Sequence, residues 1–291
     1  MVTNKGRPLL VLGASGMLGN TVLRWFARDP GYQVFGSVRN LGVLKDLQQR
    51  APQVQLVTGF DVETEDGLHR LFAQVRPEVV INCIGVVKQL AGADDPLVAI
   101  PINALLPHRL AEHCRRSNAR LIHISTDCVF SGERGNYGEA DAPDAKDLYG
   151  RSKLLGEVVA PHVVTLRTSI VGHELTSGHG LLAWFLNQSG TAPGFTQAFS
   201  SAVPTVELAR VLAEFVLPDT TLHGIFHVGA EPISKCTLLE WVARSYGLDT
   251  TLVPTGSPAI DRSLDCRRFA ERTGYHPPSW DLLAKQMREF G

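Results

Sequence analysis

Tyr149 and Lys153 stand four residues apart in LYGRSKLLGE, downstream of Ser125, Thr126 and Asp127. On a helix that spacing puts a phenol and an ammonium on one face. An ammonium held beside a phenol favours the phenolate, which lowers the tyrosine pKa and makes it a usable acid or base near neutral pH. A hydroxyl from Thr126, arriving at a strand end, would complete a three-point grip on a carbonyl or alcohol oxygen. Far upstream lies GASGMLG, Gly13 to Gly19, between an apolar run and a helical pattern. In such a loop Gly13 permits the tight turn, Gly16 lets the backbone approach a pyrophosphate, and Gly19 lets helix pack on strand. Ser15, Met17 and Leu18 complete the loop. The helix start turns its free N–H groups and positive dipole end toward phosphate. A dinucleotide seat and a proton-handling pair together describe a protein that moves a hydride and a proton.

These groups need a scaffold, and the first half of the chain supplies alternating strand and helix patterns. Leu9 to Leu12 is a continuous apolar run, as expected for a strand covered on both faces. Further strands are expected at residues 33–38, 54–57, 79–82, 120–125 and 163–167. Helices are expected at 17–28, 41–50, 63–75 and 107–117, and the helix carrying Tyr149 and Lys153 is expected to end near Pro161. Beyond it the alternation weakens. Residues 178–188, 206–216 and 238–246 look helical and 191–204 loop-like. Residues 224–228 return a strand to the sheet, and a last helix follows Pro277, Pro278 and Ser279. The expected architecture is α/β, a Rossmann-type doubly wound parallel sheet with a smaller C-terminal α/β substrate-binding unit. Residues 1–170, with 205–230 returning to them, form the dinucleotide-binding domain; 171–204 and 231–291 form the substrate-binding unit.

Composition narrows the class. The chain has 291 residues, 44% hydrophobic and 20% charged, and a net charge of −1. That is ordinary for a soluble globular enzyme and offers no global field for nucleic acid or anionic membrane. The five cysteines are scattered without a CxxC pair, and the ten histidines show no HExxH. Neither a disulfide framework nor a metal site is expected. With no signal-peptide pattern or membrane-length apolar stretch, a cytoplasmic location is expected.

The strand ends select the cofactor. An acid after the second strand would favour a free ribose 2′-hydroxyl, whereas an arginine pairs with a 2′-phosphate. FGSVRN offers Arg39 and no acid, so NADP(H) is favoured over NAD(H). Asp61 and Val62 follow the third strand, where adenine would lie. Cys83, Ile84 and Gly85 end the fourth, where the nicotinamide half would lie. For Cys83 a packed, apolar role is favoured over a reactive thiol.

With these motifs in order, the chain resembles an extended short-chain dehydrogenase/reductase, and within that group the dTDP-4-dehydrorhamnose reductase family. The segments that carry the resemblance are GASGMLG, RPEVVINCIG, PINALLPHRLAEHC, HISTDCVFSG, YGRSK, LRTSIVG, VPTVELARV and GIFHVGAEPIS, which cover most of the chain. The resemblance implies reduction of the 4-keto group of a nucleotide-linked 6-deoxy sugar with NADPH or NADH, in cell-surface polysaccharide sugar biosynthesis. Tyr149 would protonate the nascent alkoxide, and Lys153 would bind nicotinamide ribose and tune Tyr149. Thr126 would hydrogen-bond the substrate oxygen, with Ser125 the second candidate beside it. Lys88 and Asn103 match positions near the cofactor, and Thr168 and Ser169 line the nicotinamide side. Cys128 would face the sugar, and Arg262 lies where the family places a basic residue over the nucleotide diphosphate. Trp184, Phe185 and Trp280 are read as core aromatics before stacking surfaces. The expected partner is a nucleotide-sugar substrate, with a homodimer as an allowed assembly and neither nucleic acid nor membrane.

Two departures fall near the sugar. Cys128 stands where the family has tyrosine, and FSSAV precedes Pro204 in place of a more polar run. A UDP-linked or acetamido-substituted sugar therefore stays open beside the dTDP sugar. Two further alternatives are a nucleotide-sugar epimerase or dehydratase with retained NAD(P), and a non-catalytic NADP-binding regulatory subunit. The Asp-Glu pair of the dehydratases is missing after Thr126, where Asp127 and Cys128 stand.

Overall fold

The computed structural model describes residues 6–87, 93–175 and 178–291. At its centre is a parallel sheet of seven strands: β1 Arg7–Leu12, β2 Tyr32–Ser37, β3 Gln55–Val57, β4 Val79–Asn82, β5 Arg120–Ile124, β6 Val163–Arg167 and β7 Gly224–His227. Their spatial order is β7-β6-β5-β4-β1-β2-β3, and every neighbouring pair is parallel. The order reverses beside β1, so the crevice above the C-terminal ends of β1 and β4 is the topological switch point where open α/β sheets bind ligands.

The sheet is buried on both faces, which explains the unbroken apolar runs. Leu9 and Val11 enter one core with Ile81, Ile122 and Leu166; Leu10 and Leu12 enter the other with Val80 and Leu121. Alternation along a strand sends successive side chains to opposite faces, and here both faces are apolar. Helix α1 (Met17–Phe26) covers the first face. Helices α3 (Glu65–Val75) and α5 (Leu106–Arg116) cover the second, and α2 (Leu44–Arg50) follows β2. Helix starts are fixed locally: the Thr64 hydroxyl accepts from Gly67 N at 3.1 Å before α3. Asp147 Oδ1 accepts from Gly150 N at 2.7 Å before α6 (Leu148–Leu155), as N-cap chemistry requires.

Three expectations are corrected. Helix α6 stops at Leu155, well short of Pro161, and is capped by Gly156, where an added Cβ would lie 1.9 Å from the Asn103 carbonyl oxygen, so only glycine fits against that backbone. Residues 107–117, expected as the clearest part of a helix, are the end of a longer helical run. That run starts with α4 (Pro96–Ala99) and passes through a π-helical segment, Ile100–Leu105. Residues 191–204 are strands, not loop: β8 Thr191–Phe195, β9 Ala198–Ser200 and β10 Val203–Pro204. Two strands at Thr251–Thr255 (β11) and Ile260–Arg262 (β12) were not anticipated. The first pairs in parallel with β8 and the second with β9. Pro193 is tolerated because β8 is an edge strand with a single neighbour. Helices α7 (Leu181–Leu186) and α9 (Lys235–Tyr246) pack on these small sheets around Phe185, Leu238, Leu239 and Val242. Helix α8 (Thr205–Val211) and the last helices α10 (Arg267–Thr273) and α11 (Trp280–Phe290) add Leu208, Phe269 and Leu283 to the core beside α1. Among the described residues no helix is long and apolar enough to cross a membrane.

Candidate active site

The glycine loop is built as a cradle at the end of β1. Gly13 has φ +75°, open to glycine at no steric cost. A Cβ there would also press on Ile84 and the Cys83 carbonyl carbon at 3.1–3.2 Å, so the loop touches the turn after β4. Ser37 ties it from the other side, accepting from Ala14 N at 3.0 Å through its carbonyl and from Gly13 N at 3.3 Å through its hydroxyl. A Cβ on Gly19 would lie 2.0 Å from the Gly13 carbonyl oxygen, so helix and loop meet backbone to backbone. Gly16 is exposed at the start of α1, where no side chain caps the helix and no acid sits in the first turn. Ser15 and Met17 are half-buried and Leu18 is buried. That N-terminus is receptive to an anion.

Arg39 lies two residues past β2 and is exposed. Asp61 works locally, its carboxylate accepting from Glu63 N at 3.0 Å in the turn that starts α3. Val62 packs half-buried against the core under α3. Lys88 lies outside the described residues. Asn103, on the π-helical segment, spends its amide hydrogens on the Val86 carbonyl (3.0 Å) and Ser152 Oγ (3.2 Å), while its oxygen takes Val86 N (2.9 Å). It is a clamp between the post-β4 segment and α6. Gly85 abuts that clamp, its added Cβ 3.5 Å from the Asn103 amide oxygen.

Thr126 ends β5 and starts a short 3-10 turn, Asp127–Val129. Its Oγ1 accepts from Cys128 N at 3.1 Å and lies 3.2 Å from Asp127 Oδ1. Helix α6 packs its first turn on this segment: a Cβ on Gly150 would sit 2.2 Å from the Cys128 carbonyl oxygen. Close approach at Gly150 brings Tyr149 into hydrogen-bonding contact with Thr126, with half-buried Cys128 beside it. The expected effect of Lys153 on the phenol is corrected here. Burial, and then the neighbouring Cys128, push the Tyr149 phenol above its ordinary value, while the Thr126 hydrogen bond opposes them. The ammonium of Lys153 points into the protein and donates to the Ile124 carbonyl at 2.7 Å. Burial lowers it to about 8, against the opposing pull of Glu157 and Cys83. Burial also pushes the Cys83 thiol up to about 12, a protonated, packed group at neutral pH.

The other named residues divide. Ser125 turns away from the crevice: its hydroxyl donates to Glu157 Oε1 at 2.7 Å. The Thr168 carbonyl takes Asp127 N at 3.2 Å and the Ser169 carbonyl takes Val203 N at 2.9 Å, tying the end of β6 to Thr126's turn and to β10. On β12, Arg262 donates through Nε to the Phe130 carbonyl at 2.9 Å, which sets it over the segment following Cys128. Phe185 is core, Trp184 packs against the same cluster, and the Trp280 indole donates to the Glu231 carbonyl at 3.2 Å. Sequence reasoning missed a buried group under the site, made of Glu157, Arg167 and His227. A signal for it existed, since Glu157 continues the four-residue step of Tyr149 and Lys153.

With this geometry in place, comparison with known proteins is informative. The profile of the RmlD substrate binding domain matches residues 7–288. The chain belongs to that family. Within the RmlD substrate binding domain family it is similar to the probable low-salt glycan biosynthesis reductase Agl14 of Haloferax volcanii, at 30% identity over 87% of this chain and 85% of that protein. It is also similar to methionine adenosyltransferase 2 subunit beta of Mus musculus, at 27% identity over 95% of this chain and 88% of that one. Among solved structures, dTDP-4-dehydrorhamnose reductase of Bacillus anthracis, crystallised with NADP, superposes with a TM-score of 0.77. That match covers 98% of this chain and 99% of the other at 17% identity, a likeness of fold.

Proposed function

We propose that this protein uses NADPH to reduce the 4-keto group of a nucleotide-activated 6-deoxyhexose, in the manner of the dTDP-4-dehydrorhamnose reductases. It would act in the cytoplasm in cell-surface polysaccharide sugar biosynthesis. One observation carries the reading: the Thr126–Tyr149 contact follows β5 and the uncapped start of α1 follows β1, so both lie at the C-terminal edge of one parallel sheet. The reductase named among the relatives and the NADP-bound structure support it.

The residues present fit the cofactor. A Cβ on Gly16 would have only the Gly13 carbonyl oxygen nearby, at 3.4 Å, so the exposed loop is open to a pyrophosphate. Gly13, Ser15, Gly16, Met17, Leu18 and Gly19 would hold it. Arg39 would pair with the 2′-phosphate, which favours NADP(H) over NAD(H). Asp61 and Val62 would meet the adenine. Cys83, Ile84, Gly85, Lys153, Thr168 and Ser169 would surround the nicotinamide half. With NADPH bound, the chemistry supplied is a hydride for the ketone carbon.

The chain's own part is at the oxygen. Tyr149 is fully protonated at neutral pH, because burial raises its pKa, and so holds the proton it must give. Transfer of that proton to the nascent alkoxide leaves the product as an alcohol and Tyr149 as a phenolate. Thr126 donates a second hydrogen bond where charge develops, the placement that stabilises such a transition state. Cys128 beside Tyr149 would face the sugar, and Arg262 would meet the diphosphate with the guanidinium nitrogens not spent on Phe130. In this reading residues 1–170 and 205–230 bind the cofactor, and 171–204 and 231–291 bind the sugar nucleotide. A homodimer fits it as well, through the exposed apolar side chains of Leu97, Val98, Ile100, Leu105 and Leu155.

The test is oxidation of NADPH, followed at 1:1 stoichiometry against product, with 4-keto-6-deoxy sugars on dTDP and UDP. Turnover without net NADPH oxidation would point to an epimerase or dehydratase instead. The likeness to a methionine adenosyltransferase subunit favours a second reading, a cofactor-binding subunit. NADPH binding with no turnover across the sugar panel would select it.

A further inference from the structure

Glu157 lies just beyond the last turn of α6, four residues after Lys153, with its side chain 3% exposed. Both carboxylate oxygens are used. Oε1 accepts from Ser125 Oγ at 2.7 Å and Arg167 Nε at 2.8 Å, and Oε2 accepts from Arg167 Nη2 at 2.7 Å. The third guanidinium nitrogen of Arg167 donates to His227 Nε2 at 3.3 Å, and His227 Nδ1 donates to the Tyr137 carbonyl at 3.0 Å. That pattern requires a neutral imidazole with its proton on Nδ1. Burial, then Arg167, hold His227 down at about 4, in agreement. One carboxylate and one guanidinium therefore tie the end of α6 to the ends of β5, β6 and β7. The reacting hydroxyls sit on two of those elements, Thr126 next to Ser125 and Tyr149 on α6.

Lys153 adds an electrostatic demand, since a buried ammonium needs a counter-charge. Three titratable groups act on it: Glu157 four residues later, Cys83 after β4 and His123 on β5. Burial keeps the Cys83 thiol protonated and holds His123 well below its ordinary value, so both are neutral at pH 7. Of these groups Glu157 alone carries negative charge.

We propose that Glu157 is a positioning residue of the site: gripped by Arg167 and Ser125, it sets α6 against β5 and supplies the counter-charge that keeps Lys153 an ammonium inside the protein. This inference rests on the assignment of Tyr149 and Lys153 made above, and its test needs no turnover.

The measurement is the titration of Lys153 by NMR in protein labelled with ¹³C at lysine Cε, the resonance assigned by its loss in Lys153→Arg. Wild type is compared with Glu157→Gln and with the double variant Glu157→Gln/Arg167→Met. The double variant removes both charges and strands neither. The expected midpoint is about 8 in wild type and lower by about one unit or more in both variants. Glu157→Asp should recover most of the shift, and the pH profile of kcat/KM should move with the midpoint. A midpoint unmoved to within about 0.3 unit in the folded double variant overturns the proposal. If wild type fails to oxidise NADPH, the reductase reading falls while the titration still decides the role of Glu157.

Discussion

The surroundings of Tyr149 and of Lys153, one turn apart on α6, are built to opposite specifications. Toward the crevice, Tyr149 meets Thr126 and Cys128, and burial holds the phenol protonated. Toward the interior, Glu157 is joined to Ser125 and Arg167 by hydrogen bonds of 2.7–2.8 Å, Lys153 donates to the Ile124 carbonyl at 2.7 Å, and the Glu157–Arg167 pair is almost fully buried. The difference teaches how a reacting surface stays accessible and still precise. The groups behind the reacting hydroxyls hold one another by several short hydrogen bonds, which fixes their geometry.

The contrast can be broken at either residue. The largest effect is expected from Tyr149→Phe, which removes the proton donor and little else: kcat should fall by about 10²–10⁴-fold, with NADPH affinity and melting temperature near wild type. Retained turnover would remove Tyr149 from the chemistry. The pH dependence should report the interior groups, in two separate windows of the same sign. Lys153 is lowered from 10.5 to about 8, so the unfolded chain binds its proton more tightly. Its burial therefore weakens the fold below about pH 8, and that penalty is relieved as pH rises from about 8 to 10.5. Over that interval cofactor affinity should fall while urea midpoints rise, and Lys153→Met should flatten both. His227, lowered from 6.5 to about 4, is also depressed when folded. It withdraws stability as pH falls from 6.5 to about 4, a trend that His227→Asn should reduce in the same urea series.

Smaller effects sharpen the comparison. Gly150→Ala forces a methyl to within 2.2 Å of the Cys128 carbonyl oxygen, pushing α6 off the Thr126 turn. A stability loss of about 1–3 kcal/mol is expected, with a fall in kcat exceeding the fall in NADPH affinity. Equal losses in both would mean that the contact only supports folding. Arg39→Asp should shift the NADPH to NADH preference by about tenfold or more through lost guanidinium–phosphate pairing. An unchanged ratio in steady-state assays would take Arg39 out of the cofactor site.

How much of this was legible varied with the range of the interactions involved. Strands β4 and β6 occur where the apolar runs put them, at Val79–Asn82 and Val163–Arg167, because a strand buried on both faces must be apolar throughout. Residues 191–204 were opaque for the complementary reason. Their strands are two to five residues long, contain Pro193, Gly194 and Pro204, and gain their identity from distant partners such as β11. The end of α6 was misplaced because the signal for it is not in the helix. The carbonyl of Asn103, far away in sequence, leaves no room beyond a glycine at 156.

The residue order by itself determined the parallel sheet, the glycine turn and the four-residue step from phenol to amine, since each depends on local backbone preference and short-range periodicity. Where the Lys153 ammonium points, which hydroxyl faces the crevice and which acid lies behind the reacting pair were decided only in three dimensions. Those choices turn on burial and on hydrogen bonds between elements that are remote along the chain, and no window of sequence contains both partners.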